Sequence, residues 1–195
     1  NRTHQEKKPQ EPHEVDASFR KEVQSFLLAW RVQTLIELPP IINRRQFDND
    51  QDFIEKAYET FIHDFVEYPP TFLNKKVACL PNKTTDGKYF NTFWHVITEG
   101  DHRESDRFVQ ERIERIPWIR PIIDEQPDKD WYVWDKPLKR KNHRVHIYST
   151  KRKYLVVLDL RGEDRVVFWT AFPIDPDNHH QEKKLLKEYS LYKLF

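Results

Sequence analysis

The sequence predicts an α+β protein: N-terminal amphipathic helices, then a C-terminal antiparallel four-stranded sheet with helices packed on one of its faces. Three observations predict it. Apolar residues recur at helical spacing as far as Ile116, β-branched and aromatic runs of period 2 begin at Trp131, and aromatic residues make up 14% of the 195 residues. That aromatic content supplies a packed core despite a mean hydropathy of -0.89.

Residues 1–15 are polar, carry two prolines and show no apolar period, so they read as a loose tail. Asp16 is a suitable N-cap for a helix whose stripe is Phe19, Val23, Phe26, Leu27 and Trp30, and Pro39-Pro40 ends it. A second helix follows an acidic start at Asp50 and Asp52, with Ile54, Tyr58, Phe61, Ile62 and Phe65 on one face and Pro69-Pro70 as its stop. Residues 16–80 are therefore expected to be a helical region, and 81–195 to form a second region packed with it as one compact unit. The turn residues of Asn82–Lys88 lead into a short helix over Tyr89–Ile97, and a third amphipathic helix is expected from Ser105 to Ile116. Strands are expected over Trp131–Asp135, Arg144–Ser149, Tyr154–Leu160 and Arg165–Phe172. The connections at 149–153 and 161–164 have hairpin length, which makes the last three strands a sequential meander. The third and fourth strands are apolar on both faces and belong at the centre. A closing helix is expected over Glu182–Tyr189.

Composition removes several function classes. Three glycines, at 87, 100 and 162, leave no glycine-rich loop to cradle a phosphate, so no nucleotide cofactor is expected. Cys79 stands alone, which excludes an internal disulfide framework, and with no signal-like N-terminal stretch the expected compartment is the reducing cytoplasm. No run approaches the roughly 20 apolar residues of a spanning helix, so no membrane role is expected. His179-His180 beside Asp175 and Asp177 lacks a second ligand pair, so no metal is expected either.

The formal charge of +1 conceals polarity along the chain. From Lys136 to Lys153 lie Lys136, Lys139, Arg140, Lys141, Arg144, Lys151, Arg152 and Lys153 with no acidic residue between them. From Asp48 to Glu67 lie seven acids against Lys56 alone. A basic run of that density displaces counterions from a polyanion and gives salt-sensitive affinity for nucleic acid, although a solvated, aggregation-protected strand edge has the same composition.

Within the basic run, alternation puts Arg144, His146 and Tyr148 on one face of a strand. Cleaving RNA without a metal needs a base for the 2′-hydroxyl, an acid for the leaving oxygen and donors for the charge on phosphorus, and these residue types supply them. His95, among Phe93, Trp94, Val96 and Ile97, is a second candidate: an imidazole held by bulky apolar neighbours has a tunable pKa, though it equally suits a core position. Thr170 breaks the apolar strand Val166–Phe172, for catalysis or for a backbone hydrogen bond. Arg112 and Arg115 lie on adjoining faces of the third helix.

The segments Phe93-Trp94-His95-Val96-Ile97, Arg112-Ile113-Glu114-Arg115-Ile116, Arg144-Val145-His146-Ile147-Tyr148 and Phe168-Trp169-Thr170-Ala171-Phe172-Pro173-Ile174 together resemble the layout of phage-linked toxins. Those toxins belong to the ribonuclease superfamily that joins barnase, EndoU, the tRNA-cleaving colicins and RelE. The resemblance spans residues 89–175. It implies a helix-plus-antiparallel-sheet fold and metal-independent cleavage of RNA, tRNA among the substrates, to a 2′,3′-cyclic phosphate and a 5′-hydroxyl. It also implies an antitoxin or immunity protein as partner. Carried over by position, His95 resembles the helix-borne catalytic histidine, Thr170 the last-strand hydroxyl, and Arg144 with His146 the basic or acid–base strand residues. No residue matches the glutamate base of the barnase branch. Arg112, Arg115, Tyr148 and the Lys139, Arg140, Lys141 cluster are the expected phosphate and RNA contacts. Two other classes fit the sequence: a non-catalytic nucleic-acid-binding module built on the basic run, and a protein-interaction domain built on the acidic, aromatic helices between Asp16 and Tyr68.

Overall fold

A computed structural model of the chain describes Lys21, Ser25 and residues 37–99, 107–124, 131–138, 142–161 and 165–193. The expected tail lies outside these residues, as does the helix over Asp16–Trp30 apart from Lys21 and Ser25, both helical.

Helix α1, Asp50–Ile62, forms where the apolar stripe predicts it and buries Phe53, Ile54, Ala57 and Phe61. Its N-cap is Asn49, whose side-chain oxygen accepts from the Asp52 amide at 2.9 Å, and Asp50 and Asp52 sit in the first turn, where the helix dipole favours negative charge. Asn49→Ala is expected to cost about 1 kcal/mol in a urea titration, with an unchanged m-value. The helix runs on through a π-helical turn, His63–Glu67.

Two short strands follow, β1 (Thr71–Phe72) and β2 (Lys75–Ala78), joined by a two-residue hairpin at Leu73-Asn74. Both turn residues have positive φ, 52° and 58°, the type I′ signature. Leucine pays a steric cost in that region; Leu73 is only 3% exposed, and the burial of its side chain offsets the cost. Residues 71–78 therefore correct the expectation of an all-helical 16–80.

Helix α2 (Asn91–Ile97) passes into β3 (Thr98–Glu99), which pairs with β4 (Arg107–Phe108). The expected helix over Ser105–Ile116 is shorter than its periodicity suggests: α3 covers Gln110–Glu114 only. Phe108 is bonded to Thr98 in a strand, and the Val109 amide donates to the Ile97 carbonyl at 2.9 Å, so non-local pairing claims the backbone that a longer helix would need. A 3₁₀ turn at Ile116–Trp118 leads into α4, Ile119–Asp124.

The four predicted strands are present as β5 (Trp131–Pro137), β6 (His143–Ser149), β7 (Tyr154–Arg161) and β8 (Arg165–Pro173), with α5 over His179–Tyr192 behind them. The four-stranded antiparallel sheet is nonetheless wrong. β2 adds alongside β8 in parallel, Val77 opposite Val166 and Ala78 opposite Val167, and β1 follows it, giving a six-stranded mixed sheet of order β1-β2-β8-β7-β6-β5. Strands β8 and β7 are internal, as their two apolar faces require.

Helices cover both faces of this sheet, not one. On the first face Val145, Ile147, Val156, Leu158 and Phe168 join Phe61 of α1, Phe93 and Val96 of α2 and Ile122 of α4 in one core, so the helical and sheet regions share a hydrophobic interior. On the second face Trp134, Tyr148, Leu155 and Val157 pack against Leu185, Leu186, Tyr189 and Tyr192 of α5. Polar ties reinforce α5: the Tyr148 hydroxyl donates to Glu182 at 2.8 Å, Lys153 reaches the same carboxylate at 2.5 Å, and Lys136 pairs with Glu188. No helix among the described residues is long and apolar enough to cross a membrane.

Candidate active site

Residues opposite one another in the sheet share a face, so the register defines two polar rows on the α5 side. The first runs Trp134, His146, Val157, Thr170 across β5, β6, β7 and β8; the second runs Lys136, Arg144, Asp159, Val167. His146 and Thr170 are thus on one face but two strands apart, about 10 Å between backbones, with Val157 between them.

Between the rows the ladder breaks. Val157 is opposite Thr170 and Leu158 is opposite Phe168, which leaves Trp169 as the extra residue of a β-bulge. Trp169 draws the candidate residues together. The Arg144 guanidinium lies 4.2 Å from its ring centroid, and the His95 ring approaches from α2 at 6.3 Å and an angle of 63°. His95 is exposed, contrary to the expectation of an imidazole enclosed by apolar neighbours: at 100° per residue, α2 turns Phe93, Val96 and Ile97 into the core and leaves His95 on the outer side. His95 from the helix and Arg144 from β6 therefore both approach the bulge residue Trp169, whose neighbour in β8 is Thr170.

His146 is placed differently. It is 9% exposed, its ring stacks on Trp134 at 4.8 Å and 8°, and its Nδ1 lies 3.1 Å from the Arg144 carbonyl. A carbonyl only accepts, so Nδ1 carries the hydrogen and donates along its own strand. Burial pushes the imidazole down to about 4 from its ordinary 6.5, the nearby Glu188 carboxylate opposing only in part. His146 is neutral at physiological pH. The unfolded chain binds that proton more tightly than the fold does, so this contribution to stability is complete above pH 6.5 and is lost as pH falls toward 4, by about 2 kcal/mol at pH 5. His146→Gln is expected to erase the difference. Urea midpoints of the two proteins measured at pH 7.5 and pH 5 should converge by that amount, and parallel curves would contradict it.

Of the remaining expected contacts, those among the described residues are occupied elsewhere. Arg112 donates to the Thr98 carbonyl at 2.7 Å and to Glu99 at 3.0 Å, and its guanidinium lies 5.3 Å from the Phe172 ring, which pins α3 to the start of the small hairpin. Arg115 donates to the Glu111 carbonyl at 2.9 Å and shares the Trp118 ring with Arg152, away from the two polar rows. Tyr148 is fully buried, its hydroxyl donates to Glu182, and burial raises its pKa, so it fastens α5 to the sheet. Lys139, Arg140 and Lys141 lie outside the described residues. Cys79 is half-buried, and burial raises its thiol pKa, consistent with a structural role. Among the described residues no cluster of three or more His, Cys, Asp or Glu is arranged to hold a metal ion.

Sequence reasoning gave no role to three residues at this place: Trp169 and Arg161, and Asp159, which it weighed only as part of a two-carboxylate metal core and set aside. Asp159 had a visible signal, being the single acid in the apolar strand Tyr154–Leu160. Trp169 had none, because the bulge that presents it is a property of the paired sheet. No family model, characterised protein or solved structure matches this chain.

Proposed function

We propose that the protein is a metal-independent endoribonuclease of toxin type, cutting RNA by attack of the 2′-hydroxyl to leave a 2′,3′-cyclic phosphate. The observation that carries this reading is the convergence of His95 and Arg144 on Trp169 beside Thr170. In this mechanism His95, exposed on α2, takes the 2′-hydroxyl proton; Arg144 and Thr170 meet the charge that develops on phosphorus; and the leaving 5′-oxygen takes its proton from solvent. His146 serves the site by holding the β6 backbone at Arg144, since a neutral imidazole with its Nδ1–H committed is a poor acid. The resemblance to the barnase, EndoU, colicin and RelE superfamily supports the same chemistry and brings with it a neutralising antitoxin as partner. The test is incubation with tRNA and with total RNA in EDTA, followed by end-group analysis. Fragments ending in 2′,3′-cyclic phosphate are expected, and intact RNA would overturn the reading.

The burial of His146 favours a second reading, because it removes one of the two imidazoles available for proton transfer. The same cationic surface would then bind nucleic acid without cutting it, and salt-sensitive binding of uncut RNA is the outcome that distinguishes it.

A further inference from the structure

The lower end of β6 and β7 carries an arrangement that the mechanism above uses only in part. Asp159 on β7 is 5% exposed and is flanked by two arginines, each approaching through its Nε: Arg161 at 2.9 Å on Oδ2 and Arg144 at 3.7 Å on Oδ1. The Arg144 guanidinium is held on its other side by the Trp169 ring. Arg161 donates its Nε to the carboxylate and Arg144 turns its Nε toward it, so the Nη groups are left over, and none makes a hydrogen bond with a described residue. Each side chain is about a third exposed, at 30% and 34%. At the Arg144 contact Nε and Oδ1 are both buried and, at 3.7 Å, make no hydrogen bond, so the guanidinium is held there by charge and by the Trp169 ring.

We infer that Arg144, Asp159 and Arg161 form a two-guanidinium receptor for a phosphate group. The buried carboxylate sets the spacing and orientation of the two cations, and the Trp169 ring fixes the plane of one of them. Arginine suits this task because its planar fork matches phosphate oxygens in pairs, and a guanidinium already fixed by a partner loses less freedom when it binds. Two arginines against one carboxylate leave a net positive charge, which Arg112 and Arg115, each paired with a nearby glutamate, do not offer. Lys136, beside Arg144 in the register, is neutralised by Glu188 and adds nothing to the receptor. Identifying the phosphate as part of an RNA backbone rests on the function proposed above; the receptor itself does not.

The test separates the two. Inorganic phosphate is titrated into the 195-residue chain and followed by calorimetry, and a 2′-O-methyl oligoribonucleotide, which cannot be cleaved by 2′-hydroxyl attack, is titrated alongside. Phosphate binding is expected in the wild type and is expected to fall at least tenfold in Arg161→Gln, a substitution at the exposed end of β7, with partial recovery in Arg161→Lys. The oligonucleotide is expected to compete with phosphate, and Arg161→Gln to lower the slope of its log affinity against log salt by about one. Absence of phosphate binding in the wild type, or binding by Arg161→Gln and Arg144→Gln as tight as that of the wild type, overturns the receptor. Phosphate binding without oligonucleotide binding upholds it, assigns it to a small phosphorylated ligand and removes the nuclease reading. Binding of both without cleavage also upholds it and leaves the non-catalytic reading in place.

Discussion

His95→Ala is expected to slow RNA cleavage in EDTA by at least 100-fold while leaving the fold intact. The magnitude follows from what a positioned imidazole contributes to proton transfer, about 10² to 10⁴ in rate. The specificity of the result follows from exposure. His95 stands on the outer side of α2, and the residues of this helix buried in the core against the sheet are Phe93, Val96 and Ile97. Surface substitutions of this kind shift stability by about 0.5 kcal/mol or less, so thermal melting should barely move. The Trp169 ring that His95 approaches gives a second check: Trp169→Phe should retain part of the activity and Trp169→Ala little, because Arg144 rests on the same ring. Cleavage by His95→Ala at the wild-type rate would leave the mechanism without its proton carrier.

The second large effect is on stability. Trp134 is fully buried between the sheet and α5, stacked on His146 and edge-on to Tyr189 at 6.2 Å. Trp134→Ala opens a cavity beneath α5 and is expected to cost about 3–5 kcal/mol in a urea or thermal titration. Trp134→Phe should cost much less, since it keeps most of the ring volume and removes an indole Nε1 that is buried without a hydrogen bond. The alanine variant also admits water to His146. Its imidazole should then titrate closer to 6.5 than to 4, a shift that histidine NMR would register. An alanine variant as stable as the wild type would mean that α5 does not seal this face.

The sequence made local structure legible wherever a residue's role depends on its neighbours in the chain. The stripe of α1, its acidic start, the four strands β5 to β8 and the central position of β7 and β8 follow from periodicity and from the apolarity of both faces. What escaped were pairings between distant segments. The β1–β2 hairpin carries Leu-Asn at its turn, where a sequence reader looks for Asn-Gly, and it is held because Leu73 is buried by the rest of the protein. The parallel contact of β2 with β8 joins residues 77–78 to 166–167, a separation across which no periodicity speaks. Likewise the helix expected over Ser105–Ile116 lost its start to the pairing of Phe108 with Thr98.

The site divides along the same line. Sequence alone selected the chemical types, picking His95, Arg144, His146 and Thr170 because imidazole, guanidinium and hydroxyl are what a phosphodiester demands, and it set Arg144 and His146 on one face through strand alternation. Only the tertiary structure decided their states. It sank His146 beneath Trp134, where burial keeps it neutral, and raised His95 onto the surface. It extruded Trp169 through a bulge to bring helix and strands together, and it set Asp159 between two arginines. The physical reason is that residue type is local, whereas exposure, proton affinity and the direction of a side chain depend on which distant surfaces fold against it.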